Sequence, residues 1–159
     1  MDHYQQLHFS YNQTEYLITR VFCRIVLSSY LKQTDPVKLA IECDDNGKRR
    51  VTTNNLSLPL HFNISHSGKM IVMAIACDVV IGVDVENTSR EYHSKSIIDN
   101  SFSKNEIEHL NKLNPMYRNN SFFEIWTLKE SYIKARGLGH ALELDKFGFY
   151  FTDNANINI

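Results

Sequence analysis

Gly82-Val83-Asp84-Val85-Glu86 closes an apolar run that begins at Met70, and well downstream stands Trp126-Thr127-Leu128-Lys129-Glu130-Ser131-Tyr132-Ile133-Lys134. The first stretch reads as the end of a strand, where side chains alternate and Asp84 and Glu86 project from the same face. The second reads as helix, which sets Glu130 and Lys134 one turn apart on a shared face. Folding the two together gathers three carboxylates and an ammonium in one place. That combination suits a divalent hard cation and a phosphate ester. Taken singly, each feature has a plainer reading: an edge strand's solvent face, a surface ion pair, a tryptophan in the core. Their joint occurrence, in this order, favours the site.

Composition narrows the class. A chain of 159 residues fits one domain, or one domain built from two similar halves. Apolar content of 43% is enough for a packed core and argues against wholesale disorder. A formal net charge of -1 supplies no basic field, so nucleic acid is not an expected partner. Cys23, Cys43 and Cys77 are odd in number and form no C-x-x-C pair, which argues against a disulfide framework and favours a reducing compartment. Met1 to Gln6 lacks the basic-then-apolar order of a signal peptide. The longest apolar stretch, Met70 to Val83, is interrupted by Asp78 and falls short of a membrane span. The expectation is a soluble cytoplasmic protein without a membrane partner.

Periodicity sketches the elements. Leu17, Ile18, Val21, Phe22, Ile25 and Val26 predict a helix over Thr14 to Leu31, with Thr14 as N-cap. A polar, turn-rich tract from Cys43 to Ser57 contains Asp44-Asp45-Asn46-Gly47. Leu60 to Ile64 reads as a short strand entering the loop Ser65-His66-Ser67-Gly68. Met70 to Ala76 and Val79 to Val85 read as an antiparallel pair. Helices are expected over Lys95 to Asn100 and over Ser103 to Leu113, the latter with Ser103 and Glu106 in capping-box spacing. Asn114-Pro115 reads as a break before a long helix from Ser121 to Arg136, which Gly137-Leu138-Gly139 ends. Leu142 to Phe151 reads as a last strand.

Phe62-Asn63-Ile64-Ser65-His66-Ser67-Gly68, Gly82 to Glu86, Phe102-Ser103-Lys104-Asn105-Glu106, Trp126 to Lys134 and Gly137-Leu138-Gly139 follow one another in a recognisable order. Together they resemble the Sfp-type 4'-phosphopantetheinyl transferases, over roughly Thr14 to Phe151. The resemblance implies an α+β fold that is a pseudo-dimer of two similar α/β halves with antiparallel sheets. The N-terminal half would be residues 1–90 and the C-terminal half 91–159, the second half being incomplete. It implies transfer of the phosphopantetheine arm of coenzyme A to a serine of an acyl or peptidyl carrier protein. Asp84, Glu86 and Glu130 match the Mg²⁺ ligands, with Mn²⁺ as the alternative ion. Glu130 also matches the residue that helps deprotonate the carrier serine, and Lys134 the lysine that steadies the pyrophosphate. Ser65, His66, Lys48, Arg49 and Lys129 match coenzyme A contacts, Arg49 standing where the family's Gly-Lys-Pro motif has proline.

The same resemblance carries departures. Family members usually extend beyond this chain at both ends, and Thr152 to Ile159 stand where further strands and a helix are expected. Glu15 occupies a position where many members place an arginine for the nucleotide phosphate. Three functions follow: an active transferase, a catalytically impaired remnant that binds coenzyme A or a carrier protein, and a Mg²⁺-dependent phosphohydrolase. Glu130 and Lys134 favour the first, and the altered C-terminal end favours the second. A monomer is expected, with a strand-completing homodimer as the alternative.

Overall fold

The computed structural model describes residues 10–31, 35–52, 59–90, 95–139, 142–151 and 157–159. The first helix, α1, runs Ser10–Tyr30. It starts a turn before the expected Thr14 because no glycine or proline interrupts Tyr11 to Gln13. Thr19, Cys23 and Leu27, spaced by four, form its buried stripe. They face a core of Leu39 and Phe62, rimmed by Ile41, Val51, Leu60, Ile64, Met73 and Ile75. Each large apolar side chain so buried contributes about 1.5–3 kcal/mol. Cys23, Cys43 and Cys77 are free thiols.

Three two-stranded antiparallel sheets occur among the described residues. Strand β1 (Ile41–Cys43) pairs with β2 (Arg49–Val51) around the Asp44–Lys48 turn. Strand β3 (Leu60–Ser67) pairs with β4 (Met70–Cys77), Phe62 opposite Ile75 and Ile64 opposite Met73. Gly68, with φ of 60°, takes the first turn position, where a two-residue hairpin of type II′ requires positive φ. The expected pairing of Met70–Ala76 with Val79–Val85 is therefore corrected: the tight turn closes the hairpin one element earlier. Ser65 to Ser67, expected in a loop, continue the strand. Asp78, also left-handed at φ 60°, turns the chain off the sheet, and residues 80–87 form no strand ladder. On β3 the sides differ: Leu60, Phe62 and Ile64 face the core, and Asn63, Ser65 and Ser67 face away.

The remaining helices are α2 (Lys95–Ser101), α3 (Lys104–Lys112) and α4 (Pro115–Arg136). Ser103 and Glu106 form the expected capping box on α3. The expected break holds, α3 ending at Lys112, but α4 starts at Pro115 rather than at the expected Ser121. At the first helical position proline has no amide to lose, and Asn114 caps the N–H of Met116. Gly137 ends α4 with a left-handed φ of 64°. A second core joins Phe102, Leu110, Phe122, Phe123 and Ile125, with Phe102 and Phe122 stacked at 5.2 Å.

Within this part, Lys129 is fully buried at 0% exposure. Its ammonium donates to Glu106 Oε2 at 2.8 Å and to the carbonyls of Leu144 and Phe147 at 2.8 and 2.6 Å. The Glu106 carboxylate accepts the N–H groups of Ser103 at 2.7 Å and Phe149 at 2.9 Å. Burial lowers the Lys129 pKa, and the Glu106 carboxylate opposes that shift. The expected strand over Leu142 to Phe151 shrinks to β5 (Tyr150–Phe151), paired with β6 (Ile157–Asn158), and the carbonyls of Leu144 and Phe147 turn onto Lys129. A 3-10 turn spans Leu144–Lys146 instead.

Removing one partner of a satisfied buried pair strands the other charge, at a cost of about 3–5 kcal/mol. Lys129→Met is expected to lose stability of that order in urea denaturation. A loss below about 1 kcal/mol would show that the pair does not anchor α4.

Candidate active site

Residues 82–87 cross the polar side of β3 and run beside α4. Gly82 makes the approach feasible: a Cβ there would strike the carbonyl oxygen of Ser131 and lie 2.5 Å from the Ala135 amide nitrogen. Side chains from β3 then take the place of a backbone ladder. Asn63 Oδ1 accepts from Val83 N–H at 2.9 Å, Ser65 Oγ from Val85 N–H at 3.3 Å, and Ser67 Oγ from Asn87 N–H at 3.1 Å.

This arrangement brings together Ser65, Asp84 and Lys134. Ser65 Oγ donates to Asp84 Oδ1 at 2.8 Å, and Lys134 Nζ reaches the same oxygen at 2.5 Å and Ser65 Oγ at 3.1 Å. The Asp84 side chain is 6% exposed, and its Oδ2 is buried with no hydrogen-bond partner among the described residues. An unpartnered carboxylate oxygen in such a place is costly unless a donor or cation meets it. Glu86 lies beside Ser67 at 3.3 Å and pairs with Arg90 at 3.0 Å. Glu130 is half-buried on α4, one turn before Lys134. Among the described residues no three His, Cys, Asp or Glu side chains are gathered as a metal site. Asp84 and Lys134 are thus brought into contact, whereas Asp84, Glu86 and Glu130 are not drawn into one cluster.

Lys134 also borders a cavity of about 600 Å³, as do His66, Lys48, Arg49, Glu15 and Tyr16. Lys48 Nζ donates to the Ala135 carbonyl at 2.5 Å, and Asn46 Nδ2 to the Gly137 carbonyl at 2.8 Å, so the β1–β2 turn is tied to the end of α4. Burial lowers the Lys48 pKa, repulsion from Arg50 adds to this, and Asp44 opposes both. His66 Nδ1 lies 3.0 Å from the Glu15 carboxylate. Ser65 touches Asp84 rather than the cavity. Lys129, expected as a coenzyme contact, is corrected: its ammonium is enclosed with Glu106 on the far side of the helix.

Asn63, Ser67 and Gly82 stand inside the quoted motifs without a role assigned to them, and Arg90 lies outside those motifs. Asn63, Ser67, Arg90 and Gly82 act through contacts twenty or more residues away or across to α4. Asp44 carried a signal in its Asp-Asp-Asn-Gly turn. Its Oδ1 accepts the N–H groups of Asn46 and Lys48, and Arg50 pairs with Oδ2. Desolvation raises its pKa, but those two N–H groups and Arg50 outweigh it and hold the carboxyl below its usual range.

The sequence profile described as the 4'-phosphopantetheinyl transferase superfamily matches residues 80–159, which include Asp84, Glu86, Glu130 and Lys134. The chain belongs to this superfamily. A 4'-phosphopantetheinyl transferase of Bacillus subtilis is 33% identical over 126 residues, 79% of this chain and 53% of the relative. The 4'-phosphopantetheinyl transferase gsp of Aneurinibacillus migulanus is 42% identical over 88 residues, 55% of this chain and 36% of that protein. A mouse L-aminoadipate-semialdehyde dehydrogenase-phosphopantetheinyl transferase is 34% identical over 95 residues, 56% of this chain and 31% of the relative. The chain spans about half the length, or less, of these curated relatives. Its α+β architecture with small antiparallel sheets agrees with membership of the superfamily. No helix among the described residues is long and apolar enough to cross a membrane.

Gly82→Ala is expected to push residues 82–87 off α4 and to cost about 1–3 kcal/mol, measured by denaturant unfolding. An unchanged midpoint would mean that the close approach is not required. Because the folded Asp44 pKa is depressed, its stabilisation of the turn is present at neutral pH and lost as pH falls through the folded value. Carboxyl NMR titration is expected to place Asp44 below the ordinary aspartate range, and a value at or above that range would refute the assignment.

Proposed function

We propose that this chain transfers the 4'-phosphopantetheine arm of coenzyme A to a serine of an acyl or peptidyl carrier protein, releasing 3',5'-ADP. The observation that carries the reading is the Asp84–Ser65–Lys134 contact, whose Lys134 borders the cavity that Lys48, Arg49 and His66 also line. The superfamily match and the printed names of the relatives point the same way. We place the site where the two proposed halves, residues 1–90 and 91–159, meet through Gly82 and α4.

Oxygen ligands are what a divalent ion takes, and Asp84 Oδ2, which accepts no hydrogen bond among the described residues, is the first of them. Glu86 and Glu130 are not gathered with it, so their side chains would have to converge on the ion to complete the protein's share beside pyrophosphate and water. Mg²⁺ is the proposed ion, which when bound supplies Lewis-acid charge and orientation. Lys134 directs two of an ammonium's three donors at Asp84 and Ser65, leaving one for an anion in the cavity. Lys48, Arg49 and His66 set positive or hydrogen-bonding groups around the nucleotide phosphates.

In the reaction, the carrier serine oxygen bonds to the β-phosphorus of coenzyme A and the bond from that phosphorus to 3',5'-ADP breaks. Glu130 accepts the serine proton, and Lys134 balances charge that grows on the phosphoryl oxygens. No activated nucleophile on the enzyme is required. Glu15 favours a second reading, a coenzyme A or carrier-binding remnant, because its carboxylate borders the same cavity and repels a nucleotide phosphate.

Intact-mass spectrometry of an apo carrier protein with coenzyme A and Mg²⁺ is expected to show a gain of one phosphopantetheine that chelator abolishes. Coenzyme A binding without any mass gain would establish the remnant instead. Glu130→Gln is expected to reduce transfer by at least about 10²-fold while coenzyme A still binds in calorimetry. Turnover at the wild-type rate would remove Glu130 as the base.

A further inference from the structure

Ser65 and Ser67 stand in matching surroundings. A serine hydroxyl has one proton to give and two lone pairs to receive. Ser65 donates to Asp84 and accepts from the Val85 amide and from Lys134 Nζ. Ser67 donates to Glu86 and accepts from the Asn87 amide at 3.1 Å and from Arg90 Nη2 at 3.0 Å. Lys134 in turn contacts Asp84, and Arg90 contacts Glu86 at 3.0 Å. Each hydroxyl is therefore saturated by one carboxylate, one backbone amide and one cation. The two units are offset by two residues on both segments, and Asn63 with Val83 begins the series.

We propose that this duplicated clamp is a positioning device, in which Ser67 and Arg90 hold Glu86 as Ser65 and Lys134 hold Asp84. The inference rests on reading the two carboxylates as metal ligands and adds the residues that aim them. Like charges two residues apart repel, and a cation beside each carboxylate offsets that repulsion before any ligand binds. A saturated hydroxyl also fixes the carboxylate's direction, because its single proton has one destination. The backbone amide on the same oxygen fixes the register of residues 83–87 along β3. Outer-shell partners of this type commonly set metal affinity within a factor of about 10–100.

Two readouts test the clamp: amide hydrogen exchange at Val83, Val85 and Asn87, and Mn²⁺ binding followed by electron paramagnetic resonance with coenzyme A present. In the wild type all three amides are expected to be protected. Ser67→Ala is expected to unprotect Asn87, spare Val83, and weaken Mn²⁺ about 10–100-fold. Ser67→Thr, which keeps the hydroxyl, is expected to restore both. Mn²⁺ affinity in Ser67→Ala equal to the wild type, or an Asn87 amide unprotected in the wild type, overturns the proposal. If the wild type binds no Mn²⁺, the metal reading fails, and exchange at Asn87 still decides whether the clamp exists. Should Ser67→Ala not fold, Arg90→Gln removes an exposed guanidinium instead. It must then weaken Mn²⁺, and unchanged affinity overturns the proposal.

Discussion

The buried pair of Glu106 and Lys129 is the constraint around which the second half of the molecule is arranged. An ammonium and a carboxylate inside protein are tolerable only when every donor and acceptor is used. Here those groups come from the N-terminus of α3, the middle of α4 and the chain from Leu144 to Phe149. Satisfying the two charges therefore fixes three segments relative to one another. It also fixes the rotation of α4 about its axis. Residues five apart on a helix point about 140° apart, so turning Lys129 inward directs Lys134 toward Asp84 and the cavity.

Much of the local structure was legible in the sequence because its causes are local. Ser103 and Glu106 announced a capping box, and Gly137 announced a left-handed cap. Asn114-Pro115 correctly marked the end of one helix, but proline is equally at home as the first residue of the next, and Asn114 was the cue that α4 starts there rather than at Ser121. The strand pairing was misread because Val79 to Val85 is apolar enough to be a strand. What decides the matter is Gly68 closing the turn before β4 and Asp78 turning the chain aside after β4, ahead of Val79.

The site was legible as residue types and less so as contacts. Asp84 and Lys134 do meet, although no spacing in the sequence announces a separation of 50 residues. Lys129 and Lys134 look equivalent on paper, one turn of helix and a residue apart. Only the packing shows that one ammonium is enclosed with Glu106 while the other borders the cavity. Ser67 and Arg90 carried no chemical signature of their own. Their placement emerges once β3 extends through Ser67 and residues 82–87 run alongside it.

The two sides of β3 have a consequence for proofreading. Phe62 and Ile64 serve the core, while the intervening Asn63, Ser65 and Ser67 serve the acidic segment. A slip of one residue would turn hydroxyls into the oil and phenyl rings onto the carboxylates. Correct burial and correct aim are thus one event rather than two. A molecule that has buried this strand properly has, by the same pleat, already laid out its row of polar groups, so misregistered chains announce themselves as unstable rather than persisting as folded but disabled copies.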